Sequence, residues 1–505
     1  MEEQQELPQG WELATFKDVG IYINGRAFKP TEWEEKGRPI LRIQNLTKST
    51  GTVNRFSGDI EEKYIVRPGE LLISWSATLG AFIYNGEEAV LNQHIFKVIP
   101  RIDKHFLFFG TENFIDDLKR QTQGSGMQHI TKGKFEDTPF PVPPLPEQRR
   151  IVAKLEELFS KLDAGVAAVR RTQALLKRYR QSVLHAAVTG ELTRAWREAH
   201  PAPAETGAAL LERIRAERRA QWEAAQVAKR GGQLPLSAGW KSKYMEPEAP
   251  DTSELPELPE DWAVARLDMI ASLKGGVTKD SKRQHVESRS VPYLRVANVQ
   301  RGYLDLTEIK EIEASEEAIR DLALQYGDVL FNEGGDLDKL GRGWIWENQV
   351  PECIHQNHVF RARTYLPEMA SRLISYWGNS FGQLYFMRVG KQTTNLASIN
   401  LSKLSEFPVP LPPLAEQAEI VREVEARIST LDNLELTLTD ELKRAERLRQ
   451  SILHRAFTGR LVPQDATDEP AAALLARLRK TPAAPAKTKV GRGHKAVAQQ
   501  TTLGL

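Results

Sequence analysis

The sequence predicts an α+β chain built twice from one plan: a mixed α/β domain followed by a long coiled-coil helix, then the same again. Three observations predict it. After Pro143-Pro144-Leu145-Pro146-Glu147-Gln148, apolar residues recur in steps of four and three at Ile151, Leu155, Leu158, Leu162, Val169, Leu176, Tyr179 and Val183, interrupted only at Gly165 and Thr172. The block returns as Pro412-Pro413-Leu414-Ala415-Glu416-Gln417, with Ile420, Val424, Leu431, Leu434, Leu438, Ala445, Leu448 and Ile452 on the stripe. Finally, Arg178-Tyr179-Arg180-Gln181-Ser182-Val183-Leu184-His185 matches Arg447-Leu448-Arg449-Gln450-Ser451-Ile452-Leu453-His454 at the same spacing, 269 residues on. Unrelated coiled coils would share a period but not these polar residues, so the chain is a duplication.

Taken in order, residues 1–142 carry short apolar or alternating runs punctuated by Gly, Pro and Asn, the pattern of strands. Residues 143–192 hold the first long helix. Prolines suit a helix's first turn and Glu147 suits its positive end. From Glu147 to Thr189 it would extend roughly 65 Å at about 1.5 Å per residue. Residues 193–254 form an Ala/Arg/Glu-rich insert, read as a solvated helix carrying Arg213, Arg215, Arg218 and Arg219, then a linker. Residues 255–411 repeat the first domain. Leu7-Pro8-Gln9-Gly10-Trp11 returns as Leu258-Pro259-Glu260-Asp261-Trp262, and Pro39-Ile40-Leu41-Arg42-Ile43-Gln44-Asn45 as Pro292-Tyr293-Leu294-Arg295-Val296-Ala297-Asn298. Residues 412–461 hold the second long helix. Residues 462–505 form a short helix echoing Ala209–Arg215 and a basic tail whose composition predicts disorder.

Composition narrows the class. At 505 residues, 41% hydrophobic and 27% charged, the chain reads as a multidomain soluble protein. It has no apolar run of about 20 residues, and its start is acidic rather than signal-like, which predicts a cytoplasmic location. A single cysteine, Cys353, excludes an internal disulfide and a cysteine-cluster zinc site. With a net charge of +2, nucleic-acid contact would have to come from local basic patches.

Motifs that carry catalysis are missing: no phosphate-binding or dinucleotide-binding glycine loop occurs, and no Asn-Pro-Pro-Tyr type of methyltransferase motif. Cys353, His355 and His358 lack a fourth ligand nearby and are read as coincidence. His94 and His358 occupy matching positions before an apolar pair and are read as structural. Better candidates lie in the stretch before each long helix: Ser125, Gln128, His129, Lys132 and Lys134 in one copy, and Lys391, Gln392, Thr393, Thr394, Asn395 and Lys403 in the other. Ile130 and Ile399 are the shared apolar pins. Amides, hydroxyls and lysines bond phosphates and base edges, and here differing polar residues sit on matching frames. Arg42 with Asn45, Arg295 with Asn298, and Ser74, Ser76 and Asn332 complete the candidate DNA-binding set.

Two variable domains, each followed by Pro-Pro-Leu-x-Glu-Gln and a long helix ending near Thr-Gly-x-Leu, resemble the specificity (S) subunit of type I restriction-modification systems. The resemblance covers nearly the whole chain. It implies two target-recognition domains reading a bipartite site in double-stranded DNA, separated by antiparallel coiled-coil helices. It implies a subunit without catalysis of its own that recruits two modification subunits, using S-adenosylmethionine to methylate adenine. Two restriction subunits would add translocation and cleavage with ATP and Mg2+. Like partners need like surfaces, so the near-identical helix ends, with Arg178, Arg180, Gln181 and His185 and their copies Arg447, Arg449, Gln450 and His454, are the expected partner-binding residues. A coiled-coil scaffold that never touches DNA, or an enzyme with an unrecognised site, are the rival readings; salt-sensitive DNA binding and S-adenosylmethionine binding by the chain alone separate them.

Overall fold

The computed structural model describes residues 7–47, 53–76, 78–115, 118, 130–233, 238–278, 288–335, 339–392 and 397–480. The chain falls into two compact units. One comprises residues 1–169 with 440–505, the other residues 170–439. Each unit thus holds the globular domain of one repeat, the start of that repeat's long helix and the end of the other's.

In the first unit, Glu12–Thr15 pairs antiparallel with Pro139–Val142, so the chain enters and leaves the domain side by side. Between them lies an antiparallel sheet in the order Gly20–Asn24, Ile95–Pro100, Leu71–Ser74, Gly80–Ile83. A second sheet contains Arg38–Leu41 running parallel to Ala89–Leu91. In the second unit the same plan recurs. Ala263–Arg266 pairs with Pro408–Leu411, and Ala271–Lys274, Val359–Thr364, Val329–Asn332 and Gly343–Ile345 repeat the four-stranded order. The parallel pair returns as Ser288–Leu294 beside Ile354–His355. Gly25 and Gly276 hold matching places where a Cβ would fall 2.1 Å from the Asn92 carbonyl oxygen and 1.9 Å from that of His355. At both, the next residue donates its N–H across the gap, from Arg26 to Leu91 and from Val277 to His355, each at 2.8 Å.

The long helices span Leu145–Val188 and Leu414–Phe457, 44 residues each. Starting at Leu145 puts Pro146 in the first turn, where the N–H it lacks would have no helical acceptor. The helices run antiparallel within each unit. Arg180 pairs with Asp432 in the second unit, and Arg449 with Asp163 at 3.0 Å in the first. Each pair is the other's copy at the 269-residue offset, so the duplication extends to side-chain contacts. Arg449 also lies over the Phe159 ring, 4.1 Å from its centroid.

The apolar stripe behaves differently from a uniform coiled-coil seam. Ile151, Leu155 and Phe159 are buried with Leu453, Ala456 and Phe457 against the first domain, and Val183, Ala187 and Val188 with Ile420 and Val424 against the second. The Phe457 ring sits 4.8 Å from that of Phe106. Tyr179 and Leu448, expected on the seam, are each 49% exposed, and Leu434 is exposed as well. The helix ends bury their apolar faces in domains, which are larger apolar surfaces than a second helix offers.

The insert departs from the solvated helix expected. Its helix, Gly207–Ala228, buries Leu210, Leu211 and Ile214 in the second unit's core, because these positions share one helical face. Arg213 and Arg219 are exposed, whereas Arg215 and Arg218 are half-buried. Arg213 pairs with Glu205 and Glu368, and Arg218 donates to the Asp268 carbonyl oxygen and the Tyr244 hydroxyl. Trp222 stacks on Trp240, so part of the linker expected here packs on the helix. The echo helix, Ala471–Lys480, buries Leu474 and Leu475 in the first unit. Among the described residues no helix is long and apolar enough to cross a membrane.

Candidate nucleic-acid interface

The Pro-Pro-Leu-x-Glu-Gln block joins each long helix to its domain. Glu147 accepts hydrogen bonds from the Trp11 indole N–H (3.1 Å) and the Gln464 amide (3.3 Å). Its copy Glu416 accepts from the Trp262 indole (2.7 Å), the Thr193 hydroxyl (2.7 Å) and the Arg197 guanidinium. Burial raises the Glu147 pKa from its ordinary value, against the pull of the Trp11 and Gln464 hydrogen bonds and of the Arg150 charge. Gln148 and Gln417 bridge the preceding proline carbonyl, at 2.9 Å in both, to a backbone N–H at the start of a domain helix, that of Asp103 or Ala370. Both repeated tryptophans and both glutamates are visible in the sequence, but their partnership across the domain is not.

Three of the predicted stretches converge at one place in each domain. In the first, the Trp75 N–H donates to the His94 carbonyl oxygen (3.3 Å) and the Trp75 carbonyl oxygen accepts from the Ile130 N–H (3.1 Å). In the second, Glu333 takes the place of Trp75: its N–H donates to the His358 carbonyl oxygen (2.9 Å), and its carbonyl oxygen accepts from the Ile399 N–H (2.8 Å). Ile130 and Ile399 are fully buried pins. The side chains held there differ. Trp75 and His94 lie with ring centroids 5.4 Å apart, whereas His358 Nδ1 meets the Glu333 carboxylate.

Beside Trp75, a cavity of about 300 Å3 is lined by Arg42, Gln44, Asn92, Gln93 and His94. Trp75 Nε1, Gln93 Oε1 and His94 Nδ1 are buried atoms with no hydrogen-bond partner among the described residues. Such groups cost free energy unless a ligand or water satisfies them. The Arg42 guanidinium lies 4.3 Å from the Trp33 ring centroid.

Several predicted contacts take another role. Ser74, Ser76, Asn298 and Asn332 are buried, which corrects their expected place on a reading surface. The Ser74 hydroxyl donates to the Gly80 carbonyl oxygen, and the Asn332 amide to those of Val296 and Val299. The Asn298 amide donates to the Asp305 and Glu308 carbonyl oxygens. Polar side chains here stand in for backbone partners that the loops lack, which sequence cannot distinguish from exposure. Asn45 and Asn298 cap the N–H of Arg42 and Arg295 through the same three-residue turn, at 3.1 and 3.0 Å. Arg295 itself reaches the Glu308 carbonyl oxygen at 3.0 Å.

Lys132 donates to the Tyr22 carbonyl oxygen (2.7 Å), and Lys403 pairs with Glu406 (2.9 Å). Lys134 and Lys391 are exposed. Ser125, Gln128, His129, Thr393, Thr394, Asn395 and the Gln392 side chain lie outside the described residues. Of the predicted partner-binding residues, Arg180 and Arg449 are engaged with the opposite helix, while Arg178, Gln181, His185, Arg447, Gln450 and His454 are exposed. The imagined Cys353–His355–His358 ligand set does not assemble. His355 donates its Nδ1–H to the Val359 carbonyl oxygen, and burial holds its pKa down to about 4; burial pushes the Cys353 thiol up to about 12. Among the described residues no three His, Cys, Asp or Glu side chains form a metal-ligand group.

Fold and site together define a class: a tandem-duplicated recognition protein, with one framework presenting two different polar surfaces. The chain belongs to the family described as the type I restriction modification DNA specificity domain, whose model matches residues 8–167 and 259–444. It is 27% identical to the type I restriction enzyme EcoBI specificity subunit of Escherichia coli, over 96% of this chain and 95% of that protein. To the EcoKI specificity subunit of Escherichia coli (strain K12) it is 25% identical, over 96% and 98%. A solved structure concerned with complex assembly and conformational transition of the type I R-M system aligns with a TM-score of 0.60 at 17% identity, covering 90% of this chain and all of that one. The chain is thus a specificity subunit for DNA sequence recognition, and not itself a catalyst.

Proposed function

We propose that this specificity subunit reads an asymmetric, two-part site in double-stranded DNA, one half with each domain, and docks methylation and restriction subunits on its long helices. The observation that carries this reading is the repeated backbone clamp on Trp75 and Glu333: the framework is duplicated, yet the side chains it presents differ. A duplicated framework suits two similar docking geometries on DNA, and unlike side chains suit two unlike sequences. The exposed helix-end residues Arg178, Gln181 and His185, with Arg447, Gln450 and His454, supply two like surfaces, which supports two modification subunits and two restriction subunits in a cytoplasmic complex. S-adenosylmethionine, ATP and Mg2+ then belong to those partners.

The test is to map methylated adenines in DNA from cells expressing this chain with its modification partner. A two-part motif with a fixed unread gap and unlike halves is expected. A contiguous or palindromic motif would overturn the reading. Binding by the complex should also weaken steeply with salt, since phosphate contacts release counterions.

A further inference from the structure

We infer that Glu333 is a specificity-determining residue whose carboxylate accepts a hydrogen bond from the exocyclic amino group of a cytosine in the second domain's half-site. The inference rests on the chain being a DNA-reading subunit and names the base chemistry at one position.

The argument begins with the clamp. Glu333 has both backbone groups engaged, with His358 on one side and Ile399 on the other, so its Cα position is fixed by two hydrogen bonds. A side chain on such a rigid support loses little freedom on binding. The same support in the first domain carries Trp75, which has neither charge nor an acceptor atom. If the position were purely structural, two copies of one framework would not be expected to hold groups of such opposite chemistry there.

The carboxylate has spare capacity. Among the described residues its side-chain partner is His358 Nδ1, and the side chain keeps 28% of its exposure. A carboxylate has about four lone-pair positions, and one imidazole uses one of them. A negative group on a DNA-facing surface is repelled by phosphate, so it fits only where it meets a donor. In the major groove the amino groups are those of cytosine and adenine, and a lone carboxylate suits cytosine N4, because adenine also presents its N7 acceptor beside the amino group. His358 touches the carboxylate, and Lys391 lies on the short strand Lys391–Gln392, which pairs with Ala397–Ser398, as does Gly334–Gly335 immediately after Glu333.

The experiment selects bound duplexes from a randomised pool with the full complex of this chain and its modification partner, and sequences them. Wild type must first yield a two-part motif; failure there would refute the DNA-reading assignment, separately from the role of Glu333. Given that motif, E333A should lose preference for one C·G pair in one half by about ten-fold or more. E333Q should shift that position towards A·T, since an amide can pair with adenine N6 and N7 together. The other half should not change in either variant, and W75A should alter only that other half. Retention of the wild-type motif by folded E333A and E333Q, with melting curves like wild type, would overturn the inference. So would a wild-type half-site in which no E333A-sensitive position is a C·G pair.

Discussion

The two repeated glutamates give a prediction that the structure makes quantitative. Glu147→Gln and Glu416→Gln are the same change at equivalent positions, yet their costs should differ. Glu416 is 1% exposed and pairs with Arg197, whose side chain is 20% exposed. Removing one partner of a buried ion pair costs about 3–5 kcal/mol, and the part-exposed arginine recovers some of that, leaving about 3 kcal/mol. Among the described residues no cation is paired directly with Glu147. Its two oxygens accept from Trp11 and Gln464, both neutral donors, so the change leaves no buried charge unpaired. The cost there should be about 1 kcal/mol or less.

Amide hydrogen exchange, read on the segments around Trp11 and Trp262 separately, measures both. Tenfold per 1.4 kcal/mol gives a loss of protection of roughly 100-fold in the second unit for E416Q and no more than about five-fold in the first for E147Q. The pH dependence should differ too. Burial holds the folded Glu147 pKa above its ordinary 4.5, so folding favours the protonated form. That contribution is complete below the unfolded value and is lost as pH rises through the folded value. E147Q should flatten this fall. Equal loss of protection in the two variants would refute the reasoning that Arg197 is what separates the sites.

Three further outcomes are expected. Phe457→Ala, which empties the space between Phe106 and Phe140, should cost about 3–5 kcal/mol and be read as a lower melting transition of the first unit. Exchanging residues 1–142 for the equivalent domain of a relative should change one half of the methylated motif and leave the other, because the first and last strands of the domain pair with each other. The chain alone should transfer no methyl group from labelled S-adenosylmethionine to DNA, and should support transfer once a modification subunit is added.

Duplication and helix length were legible in the sequence because they are written in local and repeating patterns. A 269-residue offset needs no folding to be seen, and Pro-Pro-Leu-x-Glu-Gln marks the start of a helix by rules that act within one turn. The frame of the site was legible in part: the His94/His358 and Ile130/Ile399 positions recur, and the structure joins them. Tertiary structure alone decided what each polar residue does. Ser74, Asn298 and Asn332 look like surface donors in sequence, yet they replace missing backbone partners in the interior. Trp11 meets Glu147 across 136 residues, and Trp262 meets Glu416 across 154. Tyr179 and Leu448 fit the heptad but face outward, because the neighbouring turns are claimed by the domains. Periodicity fixes which face of a helix is apolar; which surface covers it depends on contacts between residues far apart in the chain, and those exist only once it has folded.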